Sequence, residues 1–126
     1  MDEIVLTLPR EACWHGVAYL VLAGLAARLD MTVENLEDWQ LALTELLGRQ
    51  HYDGRLQIVF RASSDQLETR FGPVDDRLLT EFECQKDGVC LHRVLSTLTD
   101  SVEVETTGDD RWIVLSKAIV RSDGAR

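Results

Sequence analysis

The sequence predicts an α/β domain, a two-layer sandwich in which helices cover one face of a mixed, mostly antiparallel β-sheet. Segments with a two-residue apolar repeat, typical of strands, alternate with segments whose apolar residues recur every three or four positions, typical of amphipathic helices. The predicted order is strand, helix, helix, strand, strand, helix, strand, strand. Because most strand neighbours in this order are joined by hairpins, a run of parallel βαβ units is not expected.

The first half of the chain predicts one strand followed by two helices. Residues 4–8 alternate in hydropathy, which indicates a strand. Apolar side chains then recur at helical spacing over residues 10–28, and we expect close packing to offset the helix-weakening effect of Gly24. Thr32 is a good N-cap residue, so a second helix is predicted from there to about residue 50.

The second half of the chain predicts two hairpins separated by helices. Polar turn residues lie between paired segments of alternating hydropathy, and an apolar stripe at helical spacing lies between the hairpins. The predicted elements are, in chain order, strands 56–60 and 67–71, a short helix within 74–83, a helix over 91–98, and strands 102–104 and 112–116. Residues 1–120 are therefore predicted to form one domain, followed by a polar tail, residues 121–126, that frays.

The composition is acidic. The 126 residues include 13 Lys and Arg against 22 Asp and Glu, which gives a formal net charge of −9. Nucleic acids and anionic membranes are bound by a surplus of basic residues, so neither is an expected partner. A basic protein partner fits better, because opposite net charges speed encounter and help to exclude wrong partners.

The cysteines and the N-terminus predict a cytoplasmic protein. Cys13, Cys84 and Cys90 are odd in number and scattered, which favours unpaired thiols over a disulfide framework. The N-terminus carries acids where a signal peptide has bases, and the most apolar stretch, residues 17–27, is too short to cross a bilayer. Cys84, Cys90 and His92 lack the tight paired spacing of zinc sites, so no metal is expected.

Two segments of the chain, residues 8–47 and 94–117, follow the pattern of a known family. The most specific stretches are residues 4–29, 36–45 and 98–103. Through these segments the chain resembles the bacterial anti-sigma regulatory factors of the GHKL class, serine-kinase-like proteins that share a fold with histidine kinase ATPase domains. The resemblance implies a GHKL fold, a nucleotide site for ATP and Mg²⁺, and a sigma factor or an anti-anti-sigma protein as partner.

The resembled family holds its nucleotide with three sequence boxes, and the first of these is altered here. In that box a helix carries a Glu, which orients or deprotonates a nucleophile, and four residues later an Asn that helps to hold magnesium. Glu45 matches the acid, but Arg49 stands at the Asn position. A guanidinium has no lone pair to offer a metal and carries a repelling charge.

The second and third boxes are altered as well. The second is Asp-x-Gly, whose Asp accepts a hydrogen bond from the adenine amino group. Arg70, a donor, stands at the Asp position, whereas Gly72 keeps the glycine. The third is a glycine-rich lid whose backbone N–H groups meet phosphates. The segment from Gly88 to Leu91 keeps the first glycine and the leucine but lacks the second glycine, so we expect ATP use to be impaired.

Candidate partner contacts lie on the two predicted N-terminal helices. Glu34, Glu37 and Asp38 could form a docking face for a basic partner, and the alternative is an ordinary solvated helix surface. Trp14 lies near the start of the first helix. Because the resemblance places that region in homodimer and partner contacts, Trp14 is a candidate interface anchor.

Three functions are compatible with these observations. The leading prediction is a regulatory protein-binding module that sequesters a sigma factor, or binds its antagonist, by steric occlusion and without a cofactor. The alternative is an active ATP-dependent serine protein kinase with a divergent nucleotide pocket, in which Glu45 is the base and ATP and Mg²⁺ are the cofactors. A third reading is a fold retained for homodimerisation or for sensing another small ligand.

Overall fold

The computed structural model describes residues 2–49, 54–83 and 90–122, and within these residues it has an α/β fold with five β-strands and four α-helices. A 3-10 turn at Ala12–Trp14 precedes the first α-helix. The elements are, in chain order, β1 (Asp2–Pro9), α1 (His15–Arg28), α2 (Val33–Leu47), β2 (Arg55–Ala62), β3 (Gln66–Gly72), α3 (Asp76–Phe82), α4 (Leu91–Leu98), β4 (Ser101–Thr107) and β5 (Asp110–Ala118). The predicted α/β class is confirmed.

The five strands form one sheet in the order β1-β2-β3-β5-β4. Every neighbouring pair among them is antiparallel, so the prediction of a mixed sheet is wrong for the described strands. The sheet is built from two hairpins, β2–β3 and β4–β5, which are joined where β5 pairs with β3. After β3 the chain passes through α3, α4 and β4, and β5 then runs antiparallel to β3.

One face of the sheet carries the core. Ile58, Phe71 and Ile113 follow one another across β2, β3 and β5 in register and are fully buried. The same apolar cluster contains Trp39 of α2 and Leu95 of α4, together with side chains of α1 and α3, so the helices pack on this face. Burying each large apolar side chain stabilises the fold by about 1.5–3 kcal/mol.

The other face of the sheet carries a mixed surface. Cross-strand partners in an antiparallel sheet point to the same side, and Arg70 lies in register between Val59 of β2 and Val114 of β5. Its sequence neighbour Thr69 is buried on the helix-covered side, where it faces the same cavity as Trp39. The side chain of Arg70 therefore lies on the face that the helices do not cover.

The helix caps were predictable from short-range patterns. The Thr32 hydroxyl accepts a hydrogen bond from the backbone N–H of Asn35 at 3.1 Å, which confirms the predicted N-cap of α2.

Two predictions at the ends of elements differ from the structure. The start of the first helix was predicted too early, because the 3-10 turn precedes α1. The polar tail is not frayed at its beginning, since the Arg121 guanidinium donates to the Leu29 carbonyl oxygen at 2.6 Å and Ser122 N–H donates to the Asp30 carbonyl at 2.7 Å.

Gly24 is exposed on α1, and the predicted close packing around it is wrong. A Cβ built on Gly24 would meet no heavy atom within 4 Å. Alanine is about 1 kcal/mol more favourable than glycine inside a helix. We therefore expect Gly24→Ala to raise the free energy of unfolding by about 0.5–1 kcal/mol, measured by urea denaturation. A decrease would show that the backbone of α1 needs glycine here.

Candidate functional site

The candidate site lies where the C-terminal end of α2 meets α3. Glu45 lies in the last turn of α2 and Arg49 two residues beyond its end, and the Arg49 Nη2 lies 3.0 Å from the Glu45 Oε1. The Arg49 Nη1 lies 2.8 Å from the Oε1 of Glu81, which is on α3. These three residues, which we call the Arg49 cluster, join the two helices through one guanidinium and two carboxylates.

Local physical chemistry favours an arginine in the Arg49 cluster. A cation near the C-terminal end of a helix is stabilised by the negative end of the helix dipole. Partial burial acts to lower the pKa of the Arg49 guanidinium, but its hydrogen bonds to Glu81 and Glu45 outweigh this effect and raise the pKa overall. Arg49 is therefore a fixed positive charge, and the Glu45 carboxylate is already paired with it.

The space beside the Arg49 cluster is a shallow polar depression. Its volume is about 280 Å³, and it is lined by Thr44, Glu45, Gly48 and Arg49. Known small-molecule pockets run from about 300 to 1,000 Å³ and are mostly apolar. The enclosed cavity beneath Trp39 is smaller still, at about 10 Å³, which is room for about one water molecule.

The structure does not bring Arg70 to the Arg49 cluster. Arg70 lies on the uncovered face of the sheet, where its Nη2 is 2.8 Å from the Glu105 Oε1 of β4 and its Nη1 is 3.7 Å from the Glu68 Oε1. The hydrogen bond to Glu105 is the largest cause of the raised pKa of Arg70. Arg70 is therefore part of an ion pair between β3 and β4.

The Arg70–Glu105 pair gives a prediction for the pH dependence of stability. The hydrogen bond from Arg70 lowers the pKa of the Glu105 carboxyl. A carboxyl with a lowered pKa stabilises the fold at pH values above its unfolded pKa, about 4.3, and this contribution is lost as pH falls through the lower folded value. Because the Glu105 side chain is 43% exposed, we expect Glu105→Gln to reduce the free energy of unfolding by no more than about 0.5–1 kcal/mol at pH 7.

Urea denaturation of the Glu105→Gln variant and the parent protein across pH 2–7 checks this expectation. The two free energies of unfolding should converge as the pH falls below about 4, where the parent loses the charged acceptor. A difference that grows on acidification would contradict the assigned role of Glu105.

Gly72 and Leu91, two of the predicted nucleotide-box positions, are packed against other parts of the protein. A Cβ on Gly72 would lie 2.9 Å from two indole carbons of Trp112, so the glycine lets Trp112 pack against the backbone of β3. Leu91 begins α4 and is buried in the core. Gly88, the third predicted nucleotide-box position, lies outside the described residues.

The predicted partner-binding residues lie on two surfaces. Trp14 is 43% exposed in the 3-10 turn before α1, and Glu34 and Glu37 are exposed on α2. Asp38 is paired within the molecule, with its Oδ2 3.2 Å from the Nζ of Lys117 on β5, but its side chain is still 40% exposed. All four predicted partner-binding residues are therefore accessible at the surface.

Glu81 is the member of the Arg49 cluster that sequence reasoning missed. No spacing rule joins it to Arg49, since the two residues are 32 positions apart and meet only through the packing of the helix layer. The available signal was weak. The signal is that Glu81 is an acid in the short segment that forms α3. Asp75 caps the start of this helix, and its Oδ1 accepts a hydrogen bond from the Leu78 N–H at 2.8 Å.

The cysteine region differs from the expectation of unpaired thiols. Cys90 is disulfide-bonded, while its sulfur also accepts from the Arg93 backbone N–H at the start of α4. Cys13 is a free, exposed thiol. The ring of His92 packs edge-on against Phe82, with centroids 5.1 Å apart. Cys84 lies outside the described residues, and no group of three or more potential metal ligands occurs among the residues that are described.

No helix in the described part of the chain is long and apolar enough to span a membrane. No protein-family model matches the chain. The chain is 28% identical over 79 residues to the serine-protein kinase RsbW of Bacillus velezensis, and the match covers 62% of this chain and 46% of that protein. The chain thus spans about half the length of the relative that it matches.

Proposed function

We propose that this chain is a regulatory protein-binding module of the anti-sigma type, which sequesters a sigma factor or binds its antagonist without turning over ATP. The regulatory part rests on the resemblance to the anti-sigma factors of the GHKL class and on the similarity to the serine-protein kinase RsbW. The proposal includes the GHKL fold, which the two-layer arrangement of helices on one antiparallel sheet supports.

The observation that carries the non-catalytic part is the Arg49 cluster. A family-type site would need a free carboxylate and a neutral oxygen ligand for Mg²⁺. Here Glu45 is paired to a guanidinium that Glu81 also holds. The Arg70 side chain lies on the opposite face of the sheet. The described residues therefore do not fit a bound magnesium nucleotide, and we assign no catalytic step to the chain.

The negative charge of the chain supports the proposal of a basic partner. The net charge is −9, and Glu34 and Glu37 are exposed on α2. Sigma factors bind DNA through basic surfaces, so an acidic antagonist could cover such a surface and exclude DNA by occupying the same space. Added salt is expected to weaken the complex, because exposed charges are screened.

A homodimer is part of the proposal. Strand β1 is an edge of the sheet and leaves Ile4 39% and Val5 53% exposed, and Trp14 follows shortly after it. Exposed apolar groups on an edge strand favour pairing with another chain. Sedimentation at increasing protein concentration tests this part by itself.

A second candidate function is an active serine protein kinase with a divergent pocket. It is favoured by the depression that borders Glu45 and by the similarity to a protein named as a serine-protein kinase. In this reading Glu45 would be freed from Arg49 when substrate binds. Transfer of labelled phosphate from ATP to a serine of a partner protein would support this candidate and remove the non-catalytic part of the first.

The test of the leading proposal is binding to sigma factors and anti-anti-sigma proteins encoded beside the gene. Calorimetric titration at low and high salt should show saturable binding to at least one of them, weakened by salt. The Glu34→Gln, Glu37→Gln double variant should bind more weakly, whereas Glu103→Gln, an exposed acid on β4, is the matched control. Binding to none of these proteins would overturn the proposal.

A further inference from the structure

Helix α1 has an exposed face that carries no charge. No Asp, Glu, Lys or Arg occurs between Glu11 and Arg28, although part of this stretch faces outward. Leu20 is 73% exposed at the centre of that face. A helix at a protein surface normally places charged and polar residues on its outer side, so this composition is typical of a face that is covered by another molecule.

The neighbouring helix continues this surface. Four residues join α1 to α2, so the two helices form an antiparallel pair, and the Tyr19 hydroxyl lies 2.5 Å from the Thr44 Oγ1 across it. Leu41, one turn before Thr44, is 55% exposed on the same flank of α2. A depression of about 390 Å³ runs along this flank.

We call the surface along this helix pair the α1–α2 groove. It consists of the depression on α2, which is lined by Glu37, Asp38, Gln40, Leu41 and Thr44, and of the exposed residues Leu20, Ala23 and Ala27 on the neighbouring α1. Leu20 and Leu41 are its large exposed apolar side chains, and the small side chains of Ala23 and Ala27 allow close approach of a helix backbone.

The charges on the rim decide what the groove can hold. Glu34 and Glu37 are exposed along α2, and Lys117 near it is paired with Asp38. Self-association through the groove would place these acids near their copies, since α1 offers no cation before Arg28. Like charges facing each other are unfavourable, so a second copy of this chain fits poorly and a basic partner fits well.

Gly24 gives a further reason to expect a partner on this face. It is exposed, it weakens α1, and a Cβ placed on it would meet no heavy atom of the described residues within 4 Å. A glycine that brings no internal packing is explained if another backbone approaches the helix closely at that point.

We propose that the α1–α2 groove binds one basic amphipathic helix of the partner protein. The apolar stripe of that helix would cover Leu20 and Leu41, and its lysine or arginine residues would face Glu34 and Glu37. This helix-in-groove contact rests on the proposed function for the identity of the partner, but its chemistry comes from the groove itself.

The first experiment uses a defined peptide on the full chain. The probe is a leucine–lysine peptide patterned as an amphipathic helix of about five turns. The controls are the same pattern with glutamate in place of lysine, and a scrambled leucine–lysine peptide of the same composition. The leucine–lysine probe should change the amide NMR shifts of residues mainly in α1 and α2, and neither control peptide should do so. Equal binding of either control, or shifts mainly on other elements, would overturn the groove.

The second experiment uses matched surface variants. Leu20→Lys and Leu41→Lys should each weaken probe affinity at least about tenfold, whereas Val104→Lys, at an exposed valine on β4, should leave it within about twofold. Equal effects of all three would contradict the proposal. The three side chains are 73%, 55% and 40% exposed, so thermal melts should show that the variants remain folded.

The outcomes also separate this inference from the proposed function. If a sigma factor or its antagonist binds and neither Leu20→Lys nor Leu41→Lys weakens that complex, the groove is not the docking site although the proposed function stands. If the probe binds selectively in the groove but no such regulator binds, the groove inference stands and the proposed partner class is wrong.

Discussion

Replacing Gly72 by alanine is expected to lower the free energy of unfolding by about 1–3 kcal/mol. The new Cβ would lie 2.9 Å from the Cδ2 and Cε3 of Trp112 and 3.0 Å from the Arg111 carbonyl oxygen. The indole is rigid and the carbonyl belongs to the neighbouring strand, so relief requires β3 and β5 to shift apart. Urea denaturation monitored by tryptophan fluorescence measures the change.

The matched control for Gly72→Ala is the same substitution at Gly24, where the sign should reverse because the new Cβ meets nothing. A double-mutant cycle with Trp112→Ala shows how much of the loss comes from the indole. A Gly72→Ala variant as stable as the parent would contradict the packing role. Such a result would leave the nucleotide box as the remaining explanation of this glycine.

Replacing Arg49 by methionine is expected to lower the free energy of unfolding by about 1–2 kcal/mol at neutral pH. The change removes the bridge between α2 and α3 and leaves the Glu45 and Glu81 carboxylates without their shared cation. The loss stays moderate because these side chains are about one-third exposed and water screens the charges.

Arg49→Lys is the matched control for this second prediction. It keeps the charge, but a compact ammonium cannot present two separate N–H groups to two carboxylates in the geometry of a guanidinium. An intermediate loss is therefore expected. If Arg49→Met were as stable as the parent, the Arg49 cluster would not hold the two helices together.

The sequence was informative about local structure and less so about how the elements meet. Helix α2 was predictable because Thr32 caps it and its apolar residues recur at helical spacing. The all-antiparallel sheet was not, since the direction of β5 beside β3 depends on how the whole α3–α4–β4 segment returns. No short-range pattern carries that information.

In the candidate site, too, local pairings were predictable and contacts between distant elements were not. Glu45 and Arg49 are four residues apart in a segment predicted to be helical, so sequence reasoning could place them together, although α2 itself ends at Leu47. Glu81 joins them only after α3 packs beside α2. The ion pair of Asp38 with Lys117 was not predictable either, because the tertiary fold brings the last strand beside α2.

Arg70 illustrates why a motif position does not determine a side-chain direction. Its place in the altered Asp-x-Gly box suggested a role beside the nucleotide. In a strand, however, successive side chains alternate between faces, and Thr69 occupies the side that faces the helices. Arg70 therefore points to the uncovered face and pairs there with Glu105.

The most direct test of the proposal is a calorimetric titration of the full chain with ATP and Mg²⁺. Because Arg49 already pairs with Glu45 and Glu81, we expect no saturable binding stronger than about 1 mM. The chain should still bind its regulatory partner under the same conditions. Saturable binding of Mg²⁺-ATP at micromolar concentrations would contradict the account and favour an active kinase.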